Sequence, residues 1–267
     1  MHILLLTSFY PSAARPQTGL FFRDQALALQ RAGHRVGVIA LPRLWEILHD
    51  ARQTRLALPT VTIETSDSEP PVYRMQRIWF PRIFPRICGW LTRHYGWPTY
   101  ARYVQDHGQP DIIHAHNIFY AGYLASVIGQ QTGIPTMLTE HSTNFLRGRI
   151  FLPGQHAIAR HTLGHIDHAA AVAPALANVL QAYQPQRSIN IVDNVVDTDY
   201  FQPAAAPPKQ PLQIAAVGTL EKRKGFDLLL RAFAQAFKSQ SAQLTIGGEG
   251  RDRPQLEALA SQLGISG

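Results

Sequence analysis

The amino-acid sequence predicts an α/β protein whose parallel sheets are covered by helices. Short apolar runs such as residues 2–7 alternate with longer segments in which apolar residues recur at helical spacing. The first three elements are a strand over 2–7, a helix over 20–32 that Gly33 ends, and a strand over 35–41. This β–α–β order joins two parallel strands. Polar residues and glycines follow several predicted strands, which is where doubly wound sheets bind ligands.

Length and composition restrict the class of protein. A chain of 267 residues can form one large or two ordinary domains, and 45% hydrophobic with 16% charged residues describes a globular protein. The single cysteine, Cys88, excludes an intrachain disulfide and fits a reducing cytosol. No apolar run approaches the roughly 20 residues of a membrane-spanning helix, and the apolar start lacks the features of a signal peptide. We therefore expect a cytoplasmic location, which includes the inner face of the membrane.

The charge of the chain favours anionic partners. Its net charge is +7, from 25 Lys+Arg against 18 Asp+Glu, which suits nucleic acid, anionic lipid or a nucleotide diphosphate. Residues 74–103 combine six arginines and eight aromatic residues with no acidic residue. They predict either a helix with its aromatics on the core and its arginines in solvent, or an anionic membrane surface. The helix is slightly favoured, and nucleic acid ranks last because no RNA- or DNA-binding signature accompanies the arginines.

Three histidines follow two neighbouring predicted strands. The strand over 111–116 contains His114 and His116, and the strand over 136–139 leads into His141. The carboxyl ends of parallel strands meet at one edge, so we expect these histidines to lie near one another. Three histidines can bind a metal, but no supporting carboxylate pattern is visible, and we predict a ligand-facing role for at least one of them instead. Further histidines lie on a predicted helix with a solvated or partly buried face: His156, His161, His165 and His168.

The stretch 214–233 has the pattern of a phosphate-binding loop. A strand over 214–217 ends at Gly218, a loop with three basic residues follows, and a helix begins near Phe226. Free N–H groups, the helix dipole and a lysine or arginine can together hold a phosphate. An ordinary strand–helix turn with solvated lysines explains the local pattern equally well.

A second strand–glycine–helix unit follows. A strand over 244–246 leads into the glycine-rich turn 247–251, and a helix begins at Pro254. Two such units in succession suggest one diphosphate held between them. Before them, the proline-rich segment 203–211 has the composition of a linker. We therefore predict a first domain over 1–202, the linker over 203–211 and an incomplete second domain over 212–267, because the last range offers only two strand–helix pairs.

Seven stretches, taken in order, resemble the retaining glycosyltransferases of family 4, which have the GT-B fold of two Rossmann-like doubly wound domains. Each stretch is a weak signal, and the ordered set is a strong one. The stretches are Tyr10-Pro11 with Gly19 and Phe21; residues 32–36; residues 111–116; Thr139 to His141; residues 191–197 with Phe201; residues 217–225; and residues 247–251 with Leu256-Glu257.

The resemblance implies a function and a set of site residues. It implies transfer of a sugar from a nucleotide-diphosphate sugar to a glycan, lipid-linked or small-molecule acceptor, with no cofactor and no required metal. His141 takes the position of the histidine beside the transferred sugar, and the acceptor lies around Tyr10, Asn117 and Ser142. The implied donor-binding residues are Gly19, Gly218, Thr219, Arg223, Lys224, Gly248 and Gly250.

The sequence departs from the family pattern in two places that bear on activity. Thr219 stands where the family often has an arginine, and Arg223 is the candidate replacement for that charge. The paired glutamates that contact ribose and sugar in the family have no counterpart within residues 1–267, so we expect this stretch alone to be nearly inactive. The alternatives are a sugar-nucleotide epimerase with the GT-B fold, and a non-catalytic module that binds a membrane surface or a protein partner.

Overall fold

The computed structural model describes residues 1–13, 15–41, 60–76, 85–148, 153–203, 211–237 and 241–266. The chain divides into two compact units, Met1–Thr198 and Asp199–Gly267. The predicted linker lies outside the described residues, apart from its terminal prolines.

The first unit is an α/β layer structure around one sheet. Its strands are β1 (His2–Thr7), β2 (Arg35–Ala40), β3 (Thr60–Glu64), β4 (Val72–Gln76), β5 (Ile112–His116), β6 (Thr136–Glu140), β7 (His168–Ala171) and β8 (Ile189–Ile191). Its helices are α1 (Leu20–Arg31), α2 (Pro85–His107), α3 (Tyr123–Thr132), α4 (Pro153–His165) and α5 (Pro174–Gln181). The described strands pair in the order β3-β4-β2-β1-β5-β6-β7-β8, and all neighbours are parallel except β3 and β4.

Strand β1 is buried along its whole length because both faces of the sheet are covered. Leu4 and Leu6 face one hydrophobic cluster, whereas Ile3 and Leu5 face a second cluster that contains Phe22 of α1. The alternation follows from the period of two residues along a strand. The apolar run at the start of the chain is therefore a central strand, as the sequence predicts.

The order of the strands reverses between β1 and β5. The chain goes from β1 to β2 on one side of the sheet and later returns to β5 on the other side. The carboxyl ends of β1 and β5 consequently border a crevice at a topological switch point, the usual ligand position in open α/β sheets. This edge carries the polar residues described below.

Several elements differ from the prediction. Strand β3 lies where no element is predicted, and β4 includes residues 74–76, the start of the segment 74–103 for which a helix is one prediction. Helix α3 begins only at Tyr123, because Phe119 and Tyr120 before it have non-helical backbone angles. His168 begins strand β7, so it does not belong to the helix that carries the other three histidines.

The described part of the aromatic and basic segment mostly follows the packing interpretation. On α2, Tyr100 and Tyr103 are buried in the core, and Arg93 and Arg102 are exposed. Arg74 lies on β4 and bonds to Glu64 at 2.7 Å and to the Pro11 carbonyl at 2.7 Å, so it is engaged within the unit. Residues 77–84 of the segment lie outside the described residues. None of the described helices combines the length and the apolar character that crossing a membrane requires.

The second unit contains the two predicted strand–helix pairs. Strand β9 (Leu212–Val217) leads to helix α6 (Phe226–Ala236), and β10 (Ala242–Gly247) leads to α7 (Arg253–Gln262). The two strands are parallel and adjacent, with Leu212 opposite Ala242. Pro254 lies in the first turn of α7, as predicted from its fixed φ and missing N–H.

We expect Gly37→Ala to destabilise the first unit by about 1–3 kcal/mol. A Cβ at Gly37 would overlap the Tyr103 ring. That ring cannot easily move, because Tyr103 is buried and its hydroxyl bonds to His2 Nε2 at 2.6 Å. Urea unfolding followed by circular dichroism measures the loss. The control is Gly164→Ala in α4, whose added methyl meets the end of the Gln184 side chain; an equal loss in both variants would contradict the prediction.

Candidate functional site

The register of the central strands places the polar residues of the first unit at one edge. Thr7 of β1 is opposite His116 of β5, and His116 is opposite Thr139 of β6. Opposite residues in parallel strands point to the same face. The ends of three neighbouring strands therefore present their side chains together.

The three predicted histidines do gather at this edge. His116 Nδ1 lies 3.0 Å from His141 Nε2, and the rings of His114 and His116 have centroids 4.3 Å apart. His114 Nε2 in turn bonds to the Thr139 hydroxyl at 2.9 Å. The prediction that His114, His116 and His141 lie near one another is thus confirmed.

Helix α1 supplies an apolar wall against the histidines. The Phe22 ring centroid lies 4.8 Å from that of His116 and 5.1 Å from that of His141, and Phe21 also faces His141 at 5.2 Å. Burial against this wall disfavours the charged imidazolium. It lowers the pKa of His141 to about 4, although the nearby Asn194 amide opposes this shift.

The other two histidines are also neutral near physiological pH. Burial lowers the pKa of His114 to about 4 and that of His116 well below its usual value, and the neighbouring histidines add to both shifts. Two neutral rings that share a hydrogen bond hold one proton between His116 Nδ1 and His141 Nε2. The tautomers of the two rings are therefore coupled, because one ring must donate this proton and the other must accept it.

Several buried polar atoms at this edge have no hydrogen bond of normal geometry within the described ranges. They are Thr7 Oγ1, Tyr10 Oη, His116 Nε2 and His141 Nδ1. Unsatisfied buried polar groups are rare, and they concentrate where a ligand or water completes the bonding. No group of three or more His, Cys, Asp or Glu side chains within the described residues has the arrangement of a metal site.

Glu140, for which the sequence predicts no role, lies between the loops around the site. Its side chain is fully buried, and its Oε1 accepts hydrogen bonds from the N–H groups of His141 at 3.0 Å and Ser142 at 2.6 Å. Its Oε2 accepts a third from the N–H of Ile118 at 2.6 Å. Burial raises the pKa of the carboxyl to about 7, and the three N–H groups act in the opposite direction.

The segment after β5 is held in an unusual backbone conformation. Asn117 has φ 75° and Tyr120 has φ 65°, both in the left-handed region that non-glycine residues seldom adopt. The Asn117 N–H donates to the Thr139 carbonyl at 3.0 Å, and the Ser8 hydroxyl donates to the Phe119 carbonyl at 2.9 Å. Strained residues of this kind cluster at ligand sites and persist because neighbouring bonds fix them.

The predicted acceptor residues have different environments. The N–H of Ser142 and that of Ile118, the neighbour of Asn117, bond to the Glu140 carboxylate. The Ser142 hydroxyl also accepts the Asn144 N–H at 3.2 Å. Tyr10 is only 3% exposed, and its ring packs in the cluster under α1. Its contact with an acceptor stays a prediction.

Gly19 lies directly before α1 with φ 80°, which glycine adopts at no steric cost. A Cβ there would lie 3.0 Å from the Phe9 ring and 3.1 Å from the Phe9 carbonyl oxygen. The glycine is therefore required by the backbone and by close packing, and its contact with a donor also stays a prediction.

In the second unit, the two predicted donor loops are joined backbone to backbone. The Gly218 N–H donates to the Gly247 carbonyl at 3.0 Å, and the Leu220 N–H donates to the Glu249 carbonyl at 2.9 Å. A Cβ at Gly248 would overlap the Gly218 carbonyl, and a Cβ at Gly250 would overlap the Leu220 backbone. These glycines let the loops touch.

The basic loop forms a short 3₁₀ turn over Lys222–Lys224, and Gly225, with φ 71°, is the N-cap of α6. Arg223 bonds to Glu221 at 2.6 Å, so this arginine is partly neutralised within its own loop. Lys224 and Thr219 are exposed. The free N–H groups of the first turn of α6 follow directly after the lysine.

The motifs, the sheet order and the two loops agree with one family. Residues 19–200 match the model of Glycosyltransferase Family 4, and residues 197–267 match that of the Glycosyl transferases group 1. The chain belongs to glycosyltransferase family 4.

Curated relatives have the same class of name. The chain is 32% identical over 154 residues to a Bacillus subtilis (strain 168) protein assigned to teichuronic acid biosynthesis as the glycosyltransferase TuaC, a match that covers 54% of the chain and 37% of the relative. It is 25% identical over 210 residues to D-inositol 3-phosphate glycosyltransferase 1 of Catenulispora acidiphila, covering 68% of the chain and 48% of the relative. The matches span less than half the length of either relative.

The solved structures show the GT-B fold. The catalytic domain of Starch Synthase IV from Arabidopsis thaliana superposes with a TM-score of 0.60 at 15% identity, covering 99% of the chain and 72% of that domain. Identity this low supports a shared architecture alone.

We expect Gly248→Ala to destabilise the second unit by about 1–3 kcal/mol, since it combines a backbone overlap with a strained φ. The positive φ of 150° and the approach of the Gly218 carbonyl are the physical reasons. The adjacent Gly247→Ala is a matched control, because its added methyl meets Val217 at an ordinary 3.6 Å. Amide hydrogen exchange in β9 and β10 measures both variants, and equal exchange rates would contradict the prediction.

Proposed function

We propose that this family member is a retaining glycosyltransferase that moves a sugar from a nucleotide-diphosphate sugar to an acceptor hydroxyl. The observation that carries the proposal is the neutral His116–His141 pair at the carboxyl edge of the first sheet. In the reaction the acceptor oxygen forms a bond to the anomeric carbon, and the bond from that carbon to the diphosphate breaks. The acceptor proton passes to the departing phosphate oxygen, on the face from which the nucleotide leaves.

His141 is proposed to contact the transferred sugar. Its ring is neutral, and its bond to His116 leaves Nδ1 available for one hydrogen bond to a sugar hydroxyl. A neutral ring orients the sugar without adding a positive charge beside the developing oxocarbenium ion. Orientation of this kind lowers the barrier by holding the reacting atoms in position.

Lys224 is proposed to bind the donor diphosphate. Within the described residues it makes no ion pair, and it lies one residue before Gly225, the N-cap of α6. Negative charge develops on the leaving phosphate, and a fixed lysine with free N–H groups stabilises that charge in the transition state. We therefore propose that the reaction requires no metal and no other cofactor.

The acceptor is proposed to bind at the Asn117 and Ser142 loops. A glycan, a lipid-linked sugar or a small molecule fits this proposal, and the two curated relatives have names that indicate different acceptors. The family match and these names do not favour the epimerase alternative. We also propose that residues 1–267 alone turn the donor over slowly or not at all, because the family's paired glutamates have no counterpart in them.

Lys224→Ala in the complete gene product is expected to lower kcat/KM for the donor about 10–100-fold, the value of one charge-assisted bond to phosphate. Lys222→Ala, two residues earlier on the same turn, also removes one positive charge and is expected to change kcat/KM for the donor less than about threefold. His141→Ala is expected to lower kcat about 100-fold.

The measurement is release of nucleoside diphosphate from candidate donors with and without acceptor. Release that does not depend on an acceptor would favour epimerase or hydrolase chemistry over transfer. Full turnover in both Lys224→Ala and His141→Ala would exclude the proposed site.

We further propose that the protein is cytoplasmic and that the first half of α2 binds the anionic surface at the inner face of the membrane. Ile87 is 49% exposed and Trp90 is 59% exposed, with Arg93 exposed one turn later. Apolar and aromatic side chains beside arginine suit the interface of an anionic bilayer. No acidic residue interrupts residues 85–94.

Trp90→Ala combined with Arg93→Glu is expected to weaken binding to phosphatidylglycerol vesicles at least tenfold, because both apolar insertion and a charge contact are lost. Sedimentation with vesicles measures the bound fraction. The control is Arg35→Glu, which makes the same charge change outside α2, at the amino end of strand β2. Unchanged binding in the double variant, or an equal loss in Arg35→Glu, would remove the membrane proposal.

A further inference from the structure

We infer that Glu140 is a positioning residue that holds the Asn117 loop and the His141–Ser142 loop in one arrangement. The expected effect on catalysis rests on the proposed function, whereas the link between the two loops rests on the geometry alone.

Three hydrogen bonds to Glu140 join the two loops. One carboxylate oxygen accepts from His141 and Ser142, and the other accepts from Ile118, the residue after Asn117. The donors come from two loops that follow different strands, β5 and β6. A single side chain therefore fixes the distance between the two loops that carry the proposed sugar-binding and acceptor-binding residues.

The three N–H donors require an ionised carboxylate at this position. Three N–H donors converge on two oxygens, so each oxygen must accept. A glutamine of the same shape places an NH₂ group against at least one N–H group. A protonated carboxyl likewise turns one oxygen into a hydroxyl that needs an acceptor of its own. Either change leaves a buried N–H group without a good partner, which is costly in an apolar environment.

The backbone of the Asn117 loop is strained. Asn117 and Tyr120 have positive φ values, and such residues stay in place only where surrounding bonds fix them. The bond from Ile118 N–H to Glu140 lies inside this strained segment. Its loss would let Asn117 relax away from His141 and Ser142.

Ionisable groups near Glu140 do not compete with it for the proton near neutral pH. His141 follows it in the chain, and His116 and His114 lie on the neighbouring strand β5, with pKa values all lowered by burial. The pKa of Glu140 itself is raised to about 7. The carboxylate form, and with it the assembled pair of loops, is thus gained as the pH rises through that value.

The matched control is Asp167, which precedes β7 and whose carboxylate bonds to the first residue of β6, whereas Glu140 is the last residue of β6. Asp167 accepts the N–H of Thr136 at 2.7 Å and its hydroxyl at 2.9 Å, at the start of β6 and away from the site. Asp167→Asn and Glu140→Gln both remove a carboxylate that caps β6. Only the second change disturbs the two loops.

The experiment compares Glu140→Gln with Asp167→Asn in the complete gene product. Glu140→Gln is expected to lower kcat about 10–100-fold, as a misplacement of order 1 Å does, with donor KM changed less than about threefold because Lys224 is untouched. The wild type is expected to show a rise of kcat with pH near 7, and Glu140→Gln is expected to abolish that rise. Asp167→Asn is expected to keep that pH profile and a kcat near that of the wild type. Equal losses in both variants, or an unchanged pH profile in Glu140→Gln, would overturn the inference.

A second measurement needs neither activity nor a variant. In NMR spectra of the wild type, the amide protons of Ile118, His141 and Ser142 are expected to titrate together with one midpoint near pH 7. Three separate midpoints, or none in that range, would overturn the inference. Joint titration without any transferase activity would keep the structural role of Glu140 and reject the proposed function.

Discussion

Parallel pairing of β1, β5 and β6 decides where the polar residues of the first unit meet. Because the three strands run in one direction, their carboxyl ends lie side by side, and each leads into a loop that bears polar side chains. Helix α1 then covers the edge with Phe21 and Phe22. Burial beneath aromatic rings is expensive for a charge, so every ionisable group there must be neutral or fully hydrogen-bonded.

The residues at this edge meet that condition in two different ways. The histidines lose their charge, and bond to one another or to a threonine hydroxyl. Glu140 instead collects three backbone donors from the loops around it. The histidines thereby become neutral hydrogen-bonding groups, and the glutamate becomes a link between loops. In the second unit, the corresponding organisation comes from the backbone, since Gly248 and Gly250 let two loops touch without side chains between them.

Much of this arrangement could be predicted from the sequence. The apolar runs of β1, β5 and β6, separated by helical segments, indicate a parallel sheet, and the rule for strand ends then brings His114, His116 and His141 together. The two strand–helix pairs of the second unit have equally clear glycine and proline signals. By contrast, β3 and β4 carry threonine, glutamate and arginine in a short antiparallel pair, so no buried run indicates them.

The role of Glu140 could not be predicted for a physical reason. A glutamate at the end of a strand is normally solvated. Glu140 is instead buried, and the loops that bond to it follow β6 itself and the neighbouring strand β5. Its partners are backbone N–H groups, which every residue has, so no sequence pattern marks them. The strained φ values of Asn117 and Tyr120 are equally invisible, because they arise from bonds to Thr139 and Ser8 across the sheet edge.

Strands β9 and β10 have a consequence for handling the second unit by itself. Val217 is 86% exposed and Leu212 is 48% exposed, although parallel strands are ordinarily covered on both faces. Exposed strand edges with apolar side chains pair readily with other chains. A fragment of residues 199–267 would thus be prone to self-association and precipitation unless another polypeptide segment shields these strands.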